Sequence, residues 1–90
     1  MRVEWDENKN IININKHGID FITAAEVFFD DQRIEIFDSF HSLEEDRYIT
    51  IGSIGDIVFV VYTERSEVIR LISARLATRE ERDMYYDKRC

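Results

Sequence analysis

Ile57-Val58-Phe59-Val60-Val61-Tyr62-Thr63-Glu64-Arg65, then Ser66-Glu67, then Val68-Ile69-Arg70-Leu71-Ile72-Ser73-Ala74-Arg75 is the stretch that decides the fold. Two runs rich in β-branched and aromatic residues, separated by two polar ones, predict a tight β-hairpin. Ile57–Tyr62 is apolar at every position, which predicts a central strand covered on both faces. Strand alternation puts Ile69, Leu71, Ser73 and Arg75 on one side of the second run and Val68, Arg70, Ile72 and Ala74 on the other. In the first run, Arg65 shares its side with Phe59, Val61 and Thr63. Upstream, Tyr48–Ser53 reads as a third strand, joined through a short turn around Gly55-Asp56. Such short connections make the three strands antiparallel neighbours.

Working outward, Arg33–Ser39 alternates enough to be another strand, with Ile34 and Ile36 on one face. Ser42 followed by Glu45 has the spacing of a capping box and predicts a single helical turn between these strands. Phe21, Ala24, Ala25 and Phe28 fall at i, i+3, i+4 and i+7, the stripe of an amphipathic helix, with Asp20 as its cap and Asp30-Asp31 as its end. Before it, Lys16-His17-Gly18-Ile19 reads as a helix stop, with Gly18 in the left-handed position and Ile19 folding back. That first helix, over residues 7–16, starts at the N-cap Asp6 and shows Ile11 and Ile14 on one face. Arg2–Trp5 opens the chain as a short strand. At the other end, Thr78 with Glu81 is a capping box for a last helix reaching about Lys88. The order β-α-α-β-β-β-β-α is an α+β fold: an antiparallel sheet with two N-terminal helices and one C-terminal helix, as a single domain over residues 1–90.

Hydrophobic residues make up 44% of the chain and aromatics 12%, enough for a core and against disorder. The lone cysteine, Cys90, excludes an intrachain disulfide and a cysteine zinc site. His17 and His41 stand far apart among scattered carboxylates, so no metal-ligand spacing is present, and phosphate-loop and dinucleotide motifs are absent. No metal and no cofactor are expected. No membrane-spanning run or secretory signal is visible, which points to a cytoplasmic protein with no membrane role.

Several short motifs recur in a fixed order: Glu4-Trp5-Asp6, Lys9, Lys16-His17-Gly18 and Phe21; Val27-Phe28, Asp30, His41-Ser42, Glu45 with Arg47, and Ile51-Gly52; Val61-Tyr62-Thr63-Glu64-Arg65, Ile72-Ser73-Ala74-Arg75, and Glu81-Arg82 with Tyr85. Each is weak alone, but in this order and spacing they run over nearly the whole chain, and the sequence resembles the BrnT family of small bacterial toxins. The resemblance implies a RelE-like ribonuclease toxin fold, a curved antiparallel sheet with helices packed on it. It implies RNA cleavage that stops translation, in a type II toxin–antitoxin pair. It implies a partner, a BrnA-like DNA-binding antitoxin whose N-terminal part covers the toxin.

Cleaving RNA without a metal requires a base for the ribose 2′-hydroxyl, cations for the phosphate and an acid for the leaving 5′-oxygen. Arg65 and Arg75 are the candidate phosphate holders, since a guanidinium stays charged and grips two oxygens. They lie at opposite ends of the hairpin, so the sequence does not pair them. The alternative is that they snorkel from the sheet onto Glu64, Glu67 or Glu81. His41, in a loop beside strand ends, is the candidate acid or base; the alternative is a polar residue flanking a helix. Lys16 and His17 are candidate substrate-binding residues, although cations at a helix C-terminus are already explained by the helix dipole. Arg47 and Arg82 are further candidates for the phosphate. Tyr62 and Tyr85 can stack a base or donate a proton, or else serve the core with a wet hydroxyl. Glu44 and Glu45 are possible bases, with Glu45 also explained by capping.

The net charge of −7 opposes the long-range attraction that usually brings RNA to a protein. A local basic patch can still hold one phosphate, and a ribosome-presented strand would supply the encounter. DNA is expected to bind only through the antitoxin. The competing class is a binding module without catalysis, acting with an antitoxin in transcriptional autoregulation.

Overall fold

The computed structural model describes residues 2–42 and 45–87. Its elements follow the predicted order: β1 (Arg2–Glu4), α1 (Glu7–His17), α2 (Phe21–Ala24) continued by a 3₁₀ segment (Ala25–Phe29), β2 (Ile34–Phe37), β3 (Arg47–Ser53), β4 (Ile57–Arg65), β5 (Val68–Leu76) and α3 (Arg79–Asp87). The local punctuation is as expected. Asp6 and Asp20 accept from the amides of Asn8 and Thr23 at 2.8 and 2.7 Å. Gly18, at φ 73°, donates its amide to Ile14 and ends α1. Thr78 and Glu81 cap α3 reciprocally, at 2.8 and 3.2 Å. The helical turn expected between β2 and β3 falls on Leu43 and Glu44, and the predicted end of α3 on Lys88, all outside the described residues. The Ser42 hydroxyl donates to the Asp38 carbonyl at 2.6 Å and accepts the Arg47 amide at 2.9 Å. No helix among the described residues is long and apolar enough to cross a membrane.

The strands form one sheet in the order β1-β5-β4-β3-β2. The β2–β5 pairings are antiparallel, but β1 lies parallel to β5, so the sheet is mixed rather than antiparallel throughout. No hairpin joins β1 to its partner, and the whole intervening chain leaves its direction free of a turn constraint. One face carries the main core: Phe21, Ala24, Val27 and Phe28 pack on Val58, Val60, Tyr62, Ile69, Leu71 and Ala74. The other face carries a smaller core of Ile51, Ile57, Ala77 and Tyr85 under α3. Gly52 lets the 3₁₀ segment approach β3, because a Cβ there would stand 2.8 Å from Val27 Cγ2 and 2.9 Å from Arg33 Cβ.

Two features correct the pattern read from the sequence. First, β5 is bulged: Val61 pairs with Ser73 but Tyr62 with Leu71, so Ile72 is an extra residue. A one-residue insertion reverses the alternation beyond it. Leu71 and Ala74 therefore both enter the main core, while Arg70, Ser73 and Arg75 share the opposite face. Second, α1 turns Asn10 and Asn13 inward and leaves Ile11, Ile12 and Ile14 exposed. The reason is the edge of β5, which outruns the three-residue β1. Asn13 pairs with that edge as a strand would, its amide donating to the Ala74 carbonyl at 2.8 Å and its carbonyl accepting the Ala74 amide at 3.0 Å. It also donates to the Ile19 carbonyl at 2.9 Å. Asn10 accepts the Phe21 amide at 2.8 Å. A carboxamide supplies both donor and acceptor to a buried edge, and leaving such groups unpaired costs about 1–3 kcal/mol each.

Candidate active-site groove

One ladder row across three strands reads Arg47, Thr63, Arg70, its register running regularly from the Ser66-Glu67 turn, all on the face that α3 partly covers. Cross-strand neighbours on one face stand about 4.5–5.5 Å apart at Cβ, so the two arginines flank Thr63 closely. Arg65 follows two residues on from Thr63. Lys9 reaches the same place from α1, and His41 and Glu45 from the β2–β3 loop. Together with Ile72 they line a groove of about 570 Å³. Four basic side chains stand there against one carboxylate, a local reversal of the chain's net charge of −7. A smaller depression of about 280 Å³ continues from it, sharing His41, Arg47 and Ile72, with an apolar floor of Ile49, Phe59 and Val61.

His41 is held by Asp38. Its Nδ1 stands 2.9 Å from Asp38 Oδ2, and its side chain is two-thirds exposed at 66%. The carboxylate accepts only, so in the neutral ring Nδ1 carries the proton and Nε2 is the free acceptor. Asp38 is itself pinned, its amide donating to the Arg47 carbonyl at 2.9 Å. Arg65 is ion-paired with Glu45, and Arg70 with Glu4 at 3.2 Å. Lys9 and Arg47 make no ion pair among the described residues.

The groove thus unites His41, Arg65 and Arg47 of the sequence candidates. Arg75 shares the face but not the place. It pairs with Phe59, four residues along β4 from Thr63, roughly 13 Å at strand rise. There its guanidinium lies 3.9 Å over the Phe59 ring and grips Glu81 with both nitrogens, at 2.8 and 2.9 Å. Lys16 and His17 occupy the last turn of α1, two turns beyond Lys9, where the helix dipole favours cations. Arg82 is exposed on α3 and donates to the Ala77 carbonyl at 3.0 Å. Tyr62 lies on the opposite face of the sheet, in the main core, with its hydroxyl donating to Glu35. Burial first, then the Glu35 carboxylate, pushes its phenol well above the ordinary value, so it remains protonated. Tyr85 is also a core residue, donating to Asp30 at 2.6 Å and tying α3 to the far end of the 3₁₀ segment. Glu44 lies outside the described residues, and Glu45 serves Arg65.

Sequence reasoning missed Lys9, Asp38, Thr63 and Arg70 as site residues. Strict alternation set Arg70 opposite Ile69 and Leu71, as the structure does, but did not foresee the bulge that brings Ser73 and Arg75 onto the face of Arg70 and Ala74 into the core. Asp38 had a signal, an acidic residue three before a loop histidine.

The Arg75–Glu81 fork makes a testable stability device. Burial alone would raise the Glu81 carboxyl, but Arg75 and the Thr78 amide overcome that and hold it below its ordinary value of 4.5. A carboxylate lowered in the folded state contributes stability that is present above 4.5 and lost as pH falls through the lowered value. Melting temperature followed down through the carboxylate range should therefore fall less steeply in Glu81→Gln than in the parent, and the variant should already be less stable at neutral pH. Parallel acid limbs would show that the fork carries no such coupling.

The comparisons bear on the family and the fold. The sequence model of the family described as ribonuclease toxin, BrnT, of type II toxin-antitoxin system matches residues 5–81. A crystal structure of the Brucella abortus ribonuclease toxin, BrnT, matches with a TM-score of 0.67 and 31% identity, over 88% of this chain and 99% of that one. No curated protein matches the sequence. A match over residues 5–81, with a shared fold at that identity, settles membership: the chain belongs to the BrnT family of ribonuclease toxins of type II toxin–antitoxin systems.

Proposed function

We propose that this chain cleaves RNA without a metal, through His41 held by Asp38, in the basic groove of Lys9, Arg47, Arg65 and Arg70. The observation that carries the reading is the 2.9 Å His41–Asp38 contact on the rim of that groove. Nε2 takes the proton of the ribose 2′-hydroxyl, and the 2′-oxygen attacks the adjacent phosphorus. The arginines hold the nonbridging oxygens as charge develops, Arg65 exchanging Glu45 for the phosphate. The bond to the 5′-oxygen breaks, and that oxygen leaves with a proton from the side where Lys9 stands. The products are a 2′,3′-cyclic phosphate and a 5′-hydroxyl. The apolar floor of Ile49, Phe59 and Val61 gives the flat face of a nucleobase a surface to lie on. Arg75 is assigned to holding α3 through Glu81 rather than to the phosphate.

In this reading the chain acts in the cytoplasm and stops translation. A BrnA-like antitoxin covers the groove, an acidic segment of it pairing with the basic side chains. The remaining surface is acidic and repels DNA, so operator binding belongs to the antitoxin. The same acidity weakens capture of free RNA and favours a strand presented by the ribosome.

The test is incubation of the purified full chain with RNA under excess chelator. Cleavage leaving 2′,3′-cyclic ends is expected, together with growth arrest on induction that co-expressed antitoxin relieves. Cleavage that stops with chelator would remove the metal-free chemistry. Folded protein that binds antitoxin but leaves RNA intact and growth normal would favour the non-catalytic binding module.

A further inference from the structure

Among the described residues, Thr63 Oγ1 is the buried side-chain polar atom without a hydrogen-bond partner. The residue is 2% exposed. The other buried polar side chains behave differently: Thr50 donates to the Ile34 carbonyl at 3.0 Å, and Asn10 and Asn13 are paired as described. An unmade hydrogen bond of this kind is costly to a fold, and a valine would fit the same space without it. The exception lies in the wall of the groove, at the middle of the Arg47–Thr63–Arg70 row.

We propose that Thr63, between the guanidinium groups of Arg47 and Arg70, is the seat of one phosphoryl group, its hydroxyl donating from the floor to an oxygen that both arginines grip from the sides. The anion is a phosphate and not a carboxylate because a phosphoryl group offers more charge and more acceptor oxygens, enough for two flanking guanidinium groups and a hydroxyl together. Two flanking cations also suit a group that gains charge on reaction. In the free protein Arg70 leans on the exposed Glu4, at 3.2 Å, a partner that an incoming anion replaces. The identification of the phosphate as RNA rests on the ribonuclease reading; the seat itself rests on the unpaired hydroxyl and its two neighbours.

The experiment titrates inorganic phosphate into the full chain, against chloride of equal ionic strength, for the parent, Thr63→Val and Thr63→Ser. Thr63→Val should melt no lower than the parent and bind phosphate about tenfold more weakly, the loss of one hydrogen bond to a charged group. Thr63→Ser should restore most of that affinity. Unchanged phosphate affinity in the valine variant overturns the seat, and more so if that variant also melts early, since the hydroxyl would then be structural. Should Thr63→Val fail to fold, the parent decides: phosphate, but not chloride, should shift the Thr63 amide resonance, and no shift overturns the proposal. The two readings fail separately. Phosphate bound at Thr63 by a chain that leaves RNA intact keeps the seat and removes the ribonuclease chemistry. RNA cut at the parental rate by Thr63→Val removes the seat and keeps the ribonuclease.

Discussion

Replacing His41 by alanine should slow RNA cleavage by about 10²–10⁴-fold, the usual worth of a positioned general base. The fold should be little affected, because the side chain is 66% exposed and its partner Asp38 is anchored through its own backbone. Asp38→Asn should fall in the same direction. An asparagine amide can present a donor where the carboxylate presented only acceptors, which turns the imidazole to the wrong tautomer and takes Nε2 out of service as base. His17→Ala, at the C-terminus of α1, should leave the rate near the parental value, since His17 has a sufficient role at its helix end. Single-turnover cleavage of one RNA by the three variants measures this. If His41→Ala cuts at the parental rate, histidine chemistry is excluded, and the base must be sought among carboxylates such as Glu45.

Removing the guanidinium of Arg47 should cost about 10²–10³-fold in the same assay, as for loss of one preorganised contact to developing phosphate charge. Arg47 is chosen because no carboxylate among the described residues claims it, whereas Arg65 has Glu45 and Arg70 has Glu4. Its place in the ladder opposite Thr63 also fixes where its side chain starts. Arg47→Lys separates charge from geometry: a lysine keeps the charge but cannot hold two oxygens at once, so partial rescue is expected. Binding of uncleavable RNA at two salt concentrations checks the assignment independently, since loss of a phosphate contact flattens the salt dependence. Full activity in Arg47→Ala would move the phosphate toward Arg65 and Lys9. By contrast, Arg75→Ala should lower stability through the lost Glu81 fork and Phe59 stacking, with a smaller effect on the chemical step.

What the residues determined alone was everything governed by near neighbours in the chain. Asp6, Gly18, Asp20 and the Thr78–Glu81 pair act within four residues, so helix ends were legible. The β4–β5 hairpin was legible because two residues, Ser66 and Glu67, complete its turn, both at positive φ. The ordered motifs from Glu4 to Tyr85 were enough for the family. The tertiary structure decided what depends on pairing across distance. The free edge of β5 needed a donor and an acceptor, and Asn13 met it from 61 residues away, which turned the isoleucines of α1 outward. The parallel lie of β1 had no local signal, because no turn links it to β5. The site was hidden for the same reason. Its residues come from α1, the β2–β3 loop and three strands. The Ile72 bulge, a single unpaired residue with no mark in the alternation, decides that Ser73 and Arg75 share the face of Thr63 and Arg70 while Ala74 enters the core.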